Sequence, residues 1–151
     1  MPISTNGVIV TRLAGALYNQ QLSNATYNEV LSAFNSPAAL NSLANYLIST
    51  DFASKTDLQI ANTIVTNLGL SSVAGVANWV SAQLTAAGSA GKGAKIISLL
   101  NDFSNIDATD VTYGALATAF NSKIDAAQGL SQTTGNTGTT FAAAGTAGKS
   151  F

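Results

Sequence analysis

The sequence predicts an all-α fold, a compact bundle of about six or seven helices built from helical hairpins, with a Gly/Thr/Ala-rich C-terminal extension. Three observations carry that prediction. Apolar residues recur at three- and four-residue spacing in seven successive segments. No segment alternates apolar and polar residues as a half-buried strand does. The connections are short, which sets neighbouring helices antiparallel or orthogonal in one body. At 151 residues the chain is long enough to bury a core as a single domain.

The first helix is expected over about Thr5 to Gln21, with Val10, Leu13, Ala14 and Leu17 forming its apolar stripe. The second is expected to start at Thr26, where Thr26 and Glu29 have the spacing of a capping box, and to bury Tyr27, Val30, Leu31 and Phe34. Ser36-Pro37 starts the third, a serine cap followed by proline at the first helical position. Leu40, Leu43, Ala44 and Leu47 are its core face. The fourth begins near Thr56-Asp57, the acid suiting the positive end of the helix dipole. It turns Leu58, Ala61, Ile64, Val65 and Leu68 inward and stops at Gly69.

Ser71 or Ser72 caps the fifth helix, which carries Val73, Val76, Ala77, Val80 and Leu84 before Gly88, Gly91 and Gly93 break it. The sixth presents Ile96, Leu99, Leu100 and Phe103. Together these two form a central hairpin, Ser71 to Phe103, that holds the only tryptophan, Trp79. The seventh, about Thr109 to Ser131, has the longest stripe, from Tyr113 through Phe120 to Ala127. From Gln132 the stripe is lost. The chain therefore divides into a helical domain, 1–131, and a tail or linker, 132–151. Phe141 and Phe151 are the anchors by which that tail would hold to its own bundle or to a neighbouring copy.

Composition narrows the function. Only 9% of residues are charged, against roughly 25% in a typical soluble domain, and Asn, Thr, Ser, Ala and Gly take their place. A surface of hydroxyls, amides and small side chains is solvated but lacks the charge repulsion that keeps copies apart. The net charge is −1 and the six basic residues are scattered, so no nucleic-acid partner is expected. The chain has no cysteine and no histidine, which removes disulfides, thiolate chemistry, the commonest general base and the commonest transition-metal ligand. A non-enzymatic role is expected. The start lacks the basic and apolar regions of a secretory signal, and no run reaches the roughly 18 apolar residues of a membrane span.

A faint repeat links Leu22-Ser23-Asn24 to Leu70-Ser71-Ser72 and Asp51-Phe52 to Asp102-Phe103, at offsets of 48 and 51 residues. Repeated helical hairpins would explain it. In the second unit Leu70, Gly75, Trp79, Leu84, Gly88 and Phe103 are similar to an all-helical repeat of bacterial surface and calcium-dependent secreted proteins. More closely, five stretches resemble the N-terminal domain of proteobacterial S-layer and RTX-type surface proteins. They are LSNATYNEV (22–30), DFASKTDLQIANTIVTNLGL (51–70), NWVSAQLTAAG (78–88), GKGAKIISLLNDF (91–103) and YGALATAFNSKIDAAQGLSQTTG (113–135). The likeness covers Thr5 to Gly138. It implies type I export without a cleaved N-terminal signal, assembly at the extracellular cell surface and, in some members, attachment to lipopolysaccharide. The family's glycine-aspartate calcium repeats are absent, so calcium-driven lattice closure is not carried over.

Three features carry candidate chemistry. Asp102, Asn105, Asp107 and Asp110 place oxygen ligands at spacings a calcium ion accepts, and calcium is the only cofactor considered. The competing reading makes them helix caps and solvated acids. Gly88 to Lys95 resembles a phosphate loop but is not GxxxxGK[ST], and a hairpin loop is the simpler reading. Its amides with Lys92 and Lys95, next to Trp79, suit an anionic surface polysaccharide such as lipopolysaccharide. Trp79 with Tyr18, Tyr27, Tyr46 or Tyr113 would make a sugar-stacking platform, or else pack in the core. The expected function is a self-assembling extracellular structural protein forming an S-layer-like lattice or a filament. The alternative is a cell-surface anchor that binds lipopolysaccharide.

Overall fold

The computed structural model describes residues 5–147, and Phe151, one of the two expected anchors, lies outside them. Eight helices and one two-stranded sheet form the described part. The helices are α1 (Thr5–Tyr18), α2 (Asn24–Ala33), α3 (Pro37–Thr50), α4 (Asp57–Asn67), α5 (Val76–Ala87), α6 (Lys92–Ser104), α7 (Gly114–Ser131) and α8 (Phe141–Ala147). The strands are β1 (Gln20–Gln21) and β2 (Thr139–Thr140), paired antiparallel. The fold is an all-α bundle.

Helix ends follow local chemistry, and several differ from the sequence expectation. Asn19 takes a left-handed φ of 52°, which ends α1 and turns residues 20–21 into β1 instead of a last helical turn. Ser23, not Thr26, caps α2, because its hydroxyl accepts the Thr26 amide at 3.2 Å. Ser36 caps α3 as expected, and Thr56 with Gln59 forms a full capping box on α4. α5 starts after Gly75, at φ 83°, so neither Ser71 nor Ser72 is its cap. Asp110 accepts the Thr112 and Tyr113 amides, and this turn delays α7 from Thr109 to Gly114.

Ile60, Ala61, Ile64, Val65, Val80, Leu84, Ile96, Leu100, Ala117, Phe120 and Ile124 meet in one core, the inward faces of α4 to α7. Each large side chain buried there stabilises the fold by roughly 1.5–3 kcal/mol before chain entropy is counted. Leu58 sits on the outside of α4, because Ile60 takes its place on the stripe. The suggested repeat has no structural counterpart: α2 packs on α1 and α7, α3 packs chiefly on α6, and α2 with α3 makes no hairpin.

α3 and α6 approach most closely. Gly93 on α6 lies so near α3 that a Cβ there would run into the Asn45 backbone nitrogen. The Asn45 side chain accepts the Gly93 amide at 2.6 Å and donates to the Ala90 carbonyl at 2.7 Å. Gly91 provides no side-chain cap for α6, so Asn45 supplies one from a neighbouring helix.

The expected tail is part of this bundle as far as Ala147. β2 pairs with β1, the Phe141 amide donates to the Asn19 carbonyl at 2.8 Å, and α8 lies along α7. Phe141 is 1% exposed, 6.0 Å from the Phe120 ring centroid, with the Lys123 ammonium 5.8 Å from its own. α1 admits the ring only because position 15 is glycine, since a Cβ there would lie 2.8 Å from it. Phe141 is therefore spent on its own chain and is not a surface anchor for a second copy. The boundary at 131/132 does not separate a body from a loose tail.

Gly93→Ala should lower stability by about 2 kcal/mol through overpacking, seen as a lower urea midpoint with an unchanged m-value. Phe141→Ala should cost about 3–5 kcal/mol in the same assay, which a dispensable tail would not.

Candidate functional site

The α5–α6 hairpin has two functionally distinct ends. At its tip, the loop from Gly88 to Gly91 leads into α6 with Lys92 at the first helical position. The Lys92 ammonium lies 2.6 Å from Asp57 Oδ1, and the Thr85 hydroxyl donates to Asp57 Oδ2 at 2.7 Å. Asp57 opens α4, so one carboxylate ties three helices together. The hydrogen bonds from Lys92 and then Thr85 hold the Asp57 carboxyl below its ordinary range. With the Gly93 amide occupied by Asn45, the glycine-lysine loop is built as a closed hairpin turn.

At the other end an apolar cleft of about 510 Å³ opens between the end of α4, the start of α5, the end of α6 and the start of α7. Leu70, Ile96, Leu99 and Phe103 form its walls, and Trp79 and Tyr113 stand at it. Trp79 is 56% exposed although it lies on a helix whose other face holds Val76, Val80 and Leu84 in the core. The tryptophan is therefore a surface residue, not a core one. Of the four tyrosines only Tyr113 joins it: Tyr27 is buried, Tyr18 packs on Phe52, and Tyr46 is exposed on α3. An aromatic pair over an apolar floor suits a planar or aliphatic group.

Among the described residues Asp102 is the one charged residue lining the cleft. Lys92 enters α6 about 15 Å away along the helix axis, at 1.5 Å per residue. The three residues expected to hold a polysaccharide, Lys92, Lys95 and Trp79, are thus not gathered into one site, since Lys92 is paired and Trp79 belongs to the opposite end. Lys95 is part-buried on the first turns of α6.

The acidic stretch is organised as caps. Asn105 ends α6. Asp107 accepts both the amide and the hydroxyl of Thr109, at 2.8 and 2.6 Å, which keeps its carboxyl below the ordinary range. Asp110 accepts the amides that precede α7. Among the described residues no three acidic side chains converge as a metal cage. Of the acids in this stretch only Asp102, among the described residues, lines the cleft.

Among the described residues no helix is long and apolar enough to cross a membrane. Comparison with protein-family models, curated proteins and solved structures finds no match to this chain.

Because the folded-state pKa of Asp57 is depressed, its contribution is present above about pH 4 and is lost as pH falls through and below that value. Asp57→Asn should therefore show a smaller fall in melting temperature between pH 5 and pH 2.5 than the parent chain. At neutral pH the same variant should lose about 1 kcal/mol or less, as expected for a part-exposed pair.

Proposed function

We propose that this chain is a structural building block that assembles with copies of itself outside the cell, into a surface lattice or a filament. The observation that carries this reading is the exposed apolar cleft with Trp79 at its lip, set in a surface that is nearly free of charge. An apolar concavity with a few polar groups at its edge is the default place for a binding site. Its surroundings carry few charges to oppose a second copy: the chain has thirteen charged residues in all, and Lys92 and Asp57 neutralise each other. The likeness to S-layer and RTX-type N-terminal domains points the same way and suggests the extracellular setting. No step in this role requires catalysis or a bound cofactor.

The alternative, an anchor for lipopolysaccharide, draws less support. Its phosphates need free cations, whereas Lys92 is paired and the charge that lines the cleft beside Trp79 among the described residues is the Asp102 carboxylate.

Light scattering on size-exclusion fractions and negative-stain microscopy test the proposal directly. The full chain should form assemblies that grow with concentration and persist in a calcium chelator. A monomer at every concentration that binds purified lipopolysaccharide saturably would replace it with the anchor reading. Trp79→Ser should impair assembly while changing stability by about 1 kcal/mol or less, because the indole is more than half exposed.

A further inference from the structure

The cleft has a specific chemistry. Its floor is apolar, Trp79 and Tyr113 provide two aromatic surfaces, and its single lining charge among the described residues is the Asp102 carboxylate. The side chain of Asp102 is exposed and has no hydrogen bond or ion pair among the described residues. The α6–α7 connection that contributes Ile106 to the cleft also carries Asp107 and Asp110, and among the described residues no Lys or Arg lines the cleft. Such a site favours an aromatic or aliphatic group with a cation nearby.

The chain itself carries that combination at its last basic residue, Lys149. Lys149 is its only basic residue with an aromatic residue two positions away, in Gly148-Lys149-Ser150-Phe151. In an extended segment, side chains two apart face the same way at about 6.7 Å spacing, so one face presents an ammonium and a phenyl ring together. A cleft of about 510 Å³ is in the size range of sites that enclose a group of this bulk.

We infer that the cleft receives residues 148–151 of a second copy of this chain, with the Phe151 ring between Trp79 and Tyr113 and the Lys149 ammonium against Asp102. The inference rests on the self-assembly reading and names the contact through which it proceeds. Each copy offers one cleft and one such segment, so the contact is head-to-tail and propagates into rings or open filaments. It also gives Asp102 a role, as the charge that meets the Lys149 ammonium.

Trp79 is the only tryptophan, so its emission reports this cleft alone. The full chain, followed by fluorescence and light scattering on the same samples across concentration, should show a blue shift that tracks assembly. Phe151→Ala should abolish the shift and raise the concentration needed for assembly about tenfold or more. Asp102→Lys and Lys149→Asp should each do the same with unchanged far-ultraviolet circular dichroism. An equimolar mixture of those two variants should recover both signals, because the cleft of one now fits the segment of the other. Assembly that persists while Trp79 emission ignores Phe151→Ala overturns the cleft contact and leaves self-assembly standing. A blue shift independent of concentration assigns the cleft to the chain's own segment and overturns the second copy. A monomer at all concentrations with unshifted Trp79 emission overturns the self-assembly reading, and this contact with it.

Discussion

The Phe120 ring is the point through which the structure is joined. It lies 5.4 Å from the Phe103 ring on α6 and 6.0 Å from the Phe141 ring on α8, tilted to one and edge-on to the other. Such contacts add about 0.5–1.5 kcal/mol each beyond the area they bury. Their position matters more than that energy. Phe103 is a wall of the apolar cleft, and Phe141 plugs the gap that Gly15 leaves in α1. One aromatic line therefore runs from the cleft to the C-terminal helix, and the shape of the first depends on the seating of the second.

Polar side chains then set which way the helices fit together. Asn45 caps α6 from α3, and Asp57 binds the hairpin tip to α4. On the far side Gln21, Tyr27, Gln128 and Ser131 are almost wholly buried, with Gln21 Nε2 donating to Ser131 Oγ at 2.8 Å and Gln128 Nε2 to the Tyr27 hydroxyl at 3.0 Å. Gln21 Oε1 and Gln128 Oε1 are buried without a partner among the described residues. Burying polar groups costs free energy unless they pair, and the two hydrogen bonds offset part of that cost while tying β1 and α2 to α7. A chain with so few charges relies on them for specificity that salt bridges provide elsewhere.

The two ends of the central hairpin are opposite in character for the same reason. Where α4 begins, its Asp57 meets Lys92 and closes the tip. Where α4 ends, the turn through residues 69–75 leaves α5 and α6 uncovered on one side, and the core becomes accessible between them. Trp79 is exposed because nothing in the described chain lies over it, although its helix is otherwise well packed.

The sequence by itself determined the helical class, the cap at Ser36, the start of the fourth helix at Thr56-Asp57 and most of the core stripes, because these depend on spacing within one helix. It also determined the sparse charge and the absence of histidine and cysteine, which direct attention from catalysis to surfaces. Only tertiary structure decided that β1 and β2 pair, since two residues are too few to show a period, and that Phe141 is core. It also placed Trp79 in an open cleft beside Tyr113 and Asp102, while removing Lys92 to Asp57. Those outcomes depend on partners that lie from 21 residues apart, as Phe120 and Phe141 do, to 126 residues apart, as Gly15 and Phe141 do. Helical periodicity says which face turns inward, not what lies across from it.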